Sequence, residues 1–210
     1  MRTQSRESQA YVTPQMALIF LKEGNRRFRR NLHANADLLH QVNETRDGQF
    51  PFATVLSCID SRVSSELIFD QGLGDIFSIR VAGNFINNDI LGSMEFAGKI
   101  AGSRLIVVLG HTNCGAIRGL CDHVNIGHLG GIMKKLRPAL EATEYDSAYR
   151  TSGNPAFVDR VAETNVQLAL AGIPKRSPII RSLLSQGLIG LVGAIYDVHT
   201  GRVNFMEENW

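Results

Sequence analysis

Two segments of the chain carry residue types that bind metals. One is Ser57-Cys58-Ile59-Asp60-Ser61-Arg62 and the other is Gly110-His111-Thr112-Asn113-Cys114-Gly115. Two thiolates and one imidazole suit zinc, and three protein ligands leave a fourth position open, as a catalytic site requires. His111 and Cys114 stand three apart, a spacing that suits a turn entering a helix, and Gly110 and Gly115 are expected to let the backbone turn around the ion. A single cysteine at a strand end is usually a small buried hydrophobe, so neither segment decides alone and the pair carries the signal. Cys121, one or two turns into the following helix, is expected to be inert packing. Asp60 and Arg62 add what a structural zinc site does not need. Arg62 can hold the Asp60 carboxylate through charge-assisted, bidentate hydrogen bonds. Two roles then stay open for Asp60: it orients a zinc-bound hydroxide by accepting its hydrogen bond, or it becomes the fourth zinc ligand in a closed state.

Short apolar runs at 51–57, 76–81 and 104–110 predict strands, and so do 188–198 and 202–207. Helical spacing or short amphipathic stretches predict helices near 64–69, 90–100, 115–122, 128–142, 155–171 and 178–186. Strands alternating with helices predict an α/β fold with a mainly parallel central sheet of four strands and helices on both faces. The short turn at His199-Thr-Gly201 predicts an antiparallel edge strand. Both metal-binding segments then fall at carboxyl ends of strands, where Cys58, His111 and Cys114 converge. Thr13 followed by Pro14 marks a helix start. Ala17, Phe20, Leu21, Gly24 and Phe28 form a stripe along that helix, with no obvious place on a small body. Residues 1–36 are thus expected to be an N-terminal helical arm that holds a partner copy, with 31–48 as polar connection and 37–210 as one catalytic domain.

At 210 residues the chain has the size of one ordinary domain. The plainly apolar stretch at 188–196 is far shorter than the ~20 residues a membrane-spanning helix needs, and the N-terminus has no apolar signal-like run. Seven of the 22 Lys/Arg and two of the 20 Asp/Glu lie within residues 1–36, so this stretch carries +5 and the remaining 174 residues carry −3. A basic arm can bind nucleic acid, but no nucleic-acid motif accompanies it, and a solvated helix face is expected instead. Three cysteines are too few and odd for a disulfide framework, which points to a reducing, cytoplasmic setting.

The chain resembles the β-class carbonic anhydrases. The resemblance rests on Cys58-Ile-Asp60-Ser-Arg62 and His111-Thr-Asn-Cys114-Gly115, with 52 residues between Cys58 and His111. It extends through Asp75-Ile-Phe77, Arg80-Val-Ala-Gly83-Asn84, Gly92-Ser-Met-Glu95-Phe-Ala and Tyr196-Asp197-Val-His-Thr-Gly201, and reaches back to Gly24-Asn25-Arg-Arg-Phe28. It implies a zinc enzyme that interconverts carbon dioxide and bicarbonate, acting as a homodimer or dimer of dimers with clefts at the dimer interface. It implies Cys58, His111 and Cys114 as zinc ligands, the Asp60–Arg62 pair and Gln49 as catalytic, and Phe77, Ala82 and Phe96 as pocket residues. Phe77 would line the cleft from across the interface. Phe96 stands where plant-type members carry tyrosine. Gln49 resembles the family's constitutively open branch, which favours the open site over a closed one with Asp60 on the metal. His123 and His128 are candidate proton shuttles against a plainer surface role. The same site could act on carbon disulfide or carbonyl sulfide, and a structural zinc protein without turnover is the remaining alternative.

Overall fold

The computed structural model describes residues 4–32 and 37–207. Five strands form one sheet: β1 (Ala53–Ser57), β2 (Ile76–Arg80), β3 (Leu105–His111), β4 (Gly190–Tyr196) and β5 (Val203–Phe205). Their order is β2-β1-β3-β4-β5; the first four are parallel and β5 runs antiparallel to β4, as expected. β1 and β3 are buried at every position, the condition of central strands covered on both faces, which explains why neither alternates apolar with charged residues.

Helices cover both faces. They are α1 (Arg6–Tyr11), α2 (Pro14–Arg29), α3 (Leu38–Thr45), α4 (Ser65–Ile68) and α5 (Asn88–Glu95), then α6 (Gly115–Cys121), α7 (Leu129–Ala142), α8 (Pro155–Arg176) and α9 (Pro178–Ser185). α5 runs on into a π-helical turn, Phe96–Ile100, which completes the expected 90–100 helix. α8 is longer than the expected 155–171. The helix runs through Pro174, which removes the hydrogen bond to the Leu170 carbonyl two residues before the helix ends at Arg176. Two further helices have no segment of their own in the sequence pattern: α1, inside the expected helical arm, and α3. α1 starts in a capping box at Ser5, and α3 starts at Asp37, whose side chain accepts from the His40 N–H. α3 thus occupies part of the segment expected to be mere connection.

α2 has its place on the body. Thr13 caps it and Pro14 is its first residue, as expected. Ala17, Leu18 and Leu21 are fully buried with β1 and β3 side chains in one cluster, and the Phe20 ring meets Phe52 edge-on at 5.4 Å. Gly24 lies so close to the end of α4 that an added Cβ would fall 1.7 Å from the Phe69 carbonyl oxygen. Buried Asn25 donates to the Ile68 and Gly201 carbonyls and accepts from the Val203 N–H, tying α2 to both α4 and β5. The stripe expected to need a partner copy is therefore covered within the protomer. Residue 36, the expected end of the arm, lies outside the described residues.

Candidate metal centre

The β1–β3 register pairs Ser57 with Leu109. Cys58 therefore follows β1 directly beside the end of β3, where His111 is the last strand residue. Cys114 is the N-cap residue of α6. Strand end, strand end and helix start meet, and the Cys58 Sγ, the Cys114 Sγ and a His111 ring nitrogen all lie within 4.8 Å of one another. All three residues are buried.

The turn between His111 and Cys114 is made by Asn113, at φ +55°, and not by the flanking glycines as expected. Gly110 has another reason to be glycine: a Cβ there would lie 2.7 Å from a Val166 methyl and 2.9 Å from Ile195. The close seating of α8 on β3 requires it. At Gly115 the space a Cβ would fill is open to 4 Å and the backbone is helical, so nothing in the structure requires glycine there.

The polar surroundings fix these groups. His111 Nδ1 lies 3.0 Å from the Thr112 carbonyl, which can only accept, so Nδ1 carries the proton and Nε2 keeps its lone pair. Nε2 is buried without a hydrogen-bond partner. An orphaned acceptor beside two sulfurs is costly unless a cation takes it. Cys58 accepts from the Gly83 N–H at 3.3 Å. The Cys114 thiol above all, with the Gly83 and Asp60 backbone, draws Cys58 well below the usual thiol range against the effect of burial. Cys114 is pushed up by the same hydrogen bond and by burial. With both protons gone the two sulfurs would be buried anions side by side, an arrangement that a divalent cation stabilises. The donor set and the orphaned nitrogen fit zinc.

Beside the cluster, Asp60 and Arg62 form a two-pronged pair, with Nε to Oδ1 at 2.9 Å and Nη2 to Oδ2 at 2.8 Å. The Arg62 backbone N–H adds a bond to Oδ1 at 3.0 Å. Arg62 holds the carboxyl down to about 2. Asp60 is not a member of the close metal-ligating group among the described residues. Several residues that sequence reasoning misses hold this frame. Arg80 donates to the Cys58 and Asp60 carbonyls, bracing the loop from behind. Asp159 of α8 accepts from the Asn113 N–H at 2.8 Å, and Asn165 donates to the Gly83 carbonyl. Arg80 lies in a motif that carries the resemblance, so a signal for it exists in the chain. Asp159 gives no such signal, because its partner is a backbone group brought near only by the fold.

Of the other expected site residues, Ala82 adjoins the cluster and the rest lie elsewhere in the protomer. Gln49 is exposed and precedes β1, at the opposite end of the strand from Cys58. Phe77 pairs in register with Thr54, near the start of β2, and its ring packs against Phe96 at 6.3 Å. Phe77 and Phe96 share an open hollow with Arg80 and Ser93, and none of the three metal-ligating residues lines it. Ala82 is half-buried next to Gly83, the residue that bonds Cys58. Cys121 is buried in an apolar cluster and its thiol is raised by burial, as inert packing requires. His123 and His128 are exposed, and His123 lines a separate cavity.

The carbonic anhydrase family model matches residues 53–203. Carbonic anhydrase 2 of Mycobacterium tuberculosis is 36% identical over 198 residues, covering 91% of this chain and 92% of that protein. Among solved structures, the β-carbonic anhydrase CcaA matches with a TM-score of 0.68 at 27% identity, covering 90% of this chain and 95% of that one. A structure from a study of two tetrameric β-carbonic anhydrases of Sordaria macrospora matches with a TM-score of 0.69 at 23% identity, over 80% of this chain and 86% of that one, and at that identity the likeness speaks for the fold.

Proposed function

This chain belongs to the β-class carbonic anhydrases and is a carbonic anhydrase, and we propose that it hydrates carbon dioxide reversibly with zinc held by Cys58, His111 and Cys114. The observation that carries this is the buried, unpartnered His111 Nε2 between two facing cysteines, next to a carboxylate already committed to an arginine. Zinc in such a site supplies a Lewis acid that brings the ionisation of water toward neutral pH.

The chain's own residues do the rest. Arg62 keeps Asp60 ionised at neutral pH and occupies both of its oxygens, which favours the open arrangement over a fourth-ligand role. Asp60 remains a hydrogen-bond acceptor. It fixes the direction of the attacking oxygen's hydrogen, so that a lone pair faces the carbon. Water adds to carbon dioxide, bicarbonate leaves and one proton passes to buffer. Arg80 and Asp159 hold the two backbone loops that carry this pair and the ligands.

The substrate pocket is completed by a second copy. Gln49 and Phe77 lie toward the sheet edge away from their own Cys58, so they serve a cluster only across an interface. Phe96 at 52% and Ile100 at 72% exposure supply apolar surface for that interface. In this arrangement Gln49 donates to a substrate oxygen, and Phe77, Ala82 and Phe96 keep the pocket dry. The test is stopped-flow carbon dioxide hydration on protein of measured zinc content. Turnover that tracks zinc occupancy supports the proposal, and a fully zinc-loaded protein with no hydration activity refutes it.

A further inference from the structure

At the opposite end of α6 from Cys114 lies a cavity of about 630 Å³. One wall is a face of α7, on which Met133, Lys134, Arg137, Leu140 and Glu141 recur at helical spacing. The turn after α6 forms the rim, and Arg150 closes a further side. Arg150 is fixed in place. Its two terminal nitrogens donate to the Thr143 and Leu140 carbonyls, each at 2.6 Å, and its guanidinium lies 5.3 Å from the Phe157 ring centre. Lys134 and Arg137 make no side-chain hydrogen bond or ion pair among the described residues. Glu141 is the only acid among the described residues that line the cavity.

Three cations around one concave space repel one another, and the protein supplies a single carboxylate to offset them. Arginine's planar fork suits phosphate, and Arg137 has its fork to offer, while Arg150, its terminal nitrogens committed to two carbonyls, adds a fixed positive charge that needs no ordering on binding. The volume exceeds what a bare oxyanion needs and falls within the ~300–1,000 Å³ of small-molecule sites. Leu120, Val124 and Met133 give the lining an apolar side, next to His123 and Asn125. We infer that this cavity binds a small organic phosphate, with its phosphate against Lys134, Arg137 and Arg150 and its flat apolar body against Leu120 and Met133. The site is separate from the metal centre and does not rest on the hydration chemistry.

The test is isothermal titration of the zinc-loaded full chain with AMP and, separately, with inorganic phosphate. AMP binds saturably at one site per chain, more tightly than inorganic phosphate, and more weakly as salt rises. The double variant Lys134→Gln/Arg137→Gln weakens AMP about a hundredfold, about tenfold for each charge-assisted hydrogen bond removed. Glu141→Gln moves affinity the other way and tightens AMP severalfold, which a merely structural role for this face does not produce. Superimposable thermal unfolding curves certify the fold of the variants, whose substitutions lie on the solvent side of α7. Phosphate captured by the metal would bind the double variant unchanged. Unchanged affinity in the double variant, or no saturable AMP binding in the millimolar range, overturns the proposal. Inorganic phosphate binding as tightly as AMP overturns its apolar half.

Discussion

Arg62→Ala separates holding the metal from keeping the site open. The Arg62 side chain bonds Asp60 and the Asn113 carbonyl and none of the three ligands, so zinc content is expected to stay at the wild-type level. What changes is Asp60, which loses both side-chain bonds, at 2.9 and 2.8 Å, and keeps only the backbone bond at 3.0 Å. Its carboxyl, held at about 2 against an ordinary 3.8 chiefly by those bonds and in part by the retained Arg62 N–H, rises toward the ordinary value. At ~1.4 kcal/mol per unit this anchoring amounts to about 2 kcal/mol. The Arg62 side chain is 46% exposed, however, and solvent screening brings the figure nearer ~1 kcal/mol. A bias of ~1–2 kcal/mol is about five- to thirtyfold in the ratio of open to metal-bound carboxylate. Carbon dioxide hydration in Arg62→Ala should therefore fall by about that factor from occupancy alone, with lost orientation of the nucleophile adding to it. Arg62→Lys should lie between, because a point charge cannot bond both oxygens in a plane. The assay is stopped-flow hydration at neutral pH with metal analysis of the same samples. An Arg62→Ala enzyme as active as wild type refutes the role given to the pair. Loss of zinc in that variant refutes the separation of the two functions.

Cys58→Ser should lose zinc on dialysis, measured by elemental analysis, and full retention would remove Cys58 from the ligand set. The Asp60–Arg62 pair has a depressed folded-state value, so its stabilisation is complete above the ordinary 3.8 and is lost as pH falls through about 2. An NMR titration that finds Asp60 half-protonated at or above 3.8 contradicts the pairing. Gly110→Ala should destabilise by about 1–3 kcal/mol in urea unfolding, since its Cβ would press on Val166 and Ile195, and an unchanged midpoint would show that α8 can shift freely. Mixing and refolding Cys58→Ser with Gln49→Ala chains should restore activity to about a quarter of wild type, since half the dimers are mixed and one of their two sites has both groups. No recovery above the two separate variants counts against Gln49 acting across the interface.

The central strands and the metal cluster are legible in the chain because each rests on local pattern. Short runs without charged residues mark β1 and β3, Cys58 follows the first and His111 ends the second, so the parallel topology alone brings the two candidate ligands together. The features that escape sequence reading are of a different kind. Gly24 weakens a helix on propensity grounds, and nothing in its neighbourhood reveals that the Phe69 carbonyl needs the space its missing side chain leaves. Asn25 resembles a solvated polar residue until two carbonyls and an N–H from distant segments surround it. The α2 stripe reads in isolation as a surface for a partner, because its true cover, the central strands with α4 and the edge of β5, is assembled only in three dimensions. Gly110 shows the same limit from the other side: its place beside His111 suggests a turn, but Asn113 makes that turn and Gly110 admits α8. Gln49 and Phe77 run the reverse course. Resemblance alone picks them out, and their place at the far end of the sheet makes sense only if the functional unit is larger than one chain. On the proposed function, a single protomer holds the zinc and orients the nucleophile, and a second copy brings Gln49 and Phe77 to the substrate. Assembly is on that proposal a condition of turnover, so dilution below the dimer's dissociation constant should abolish hydration before it releases zinc, and hydration that persists in a diluted monomer would refute it.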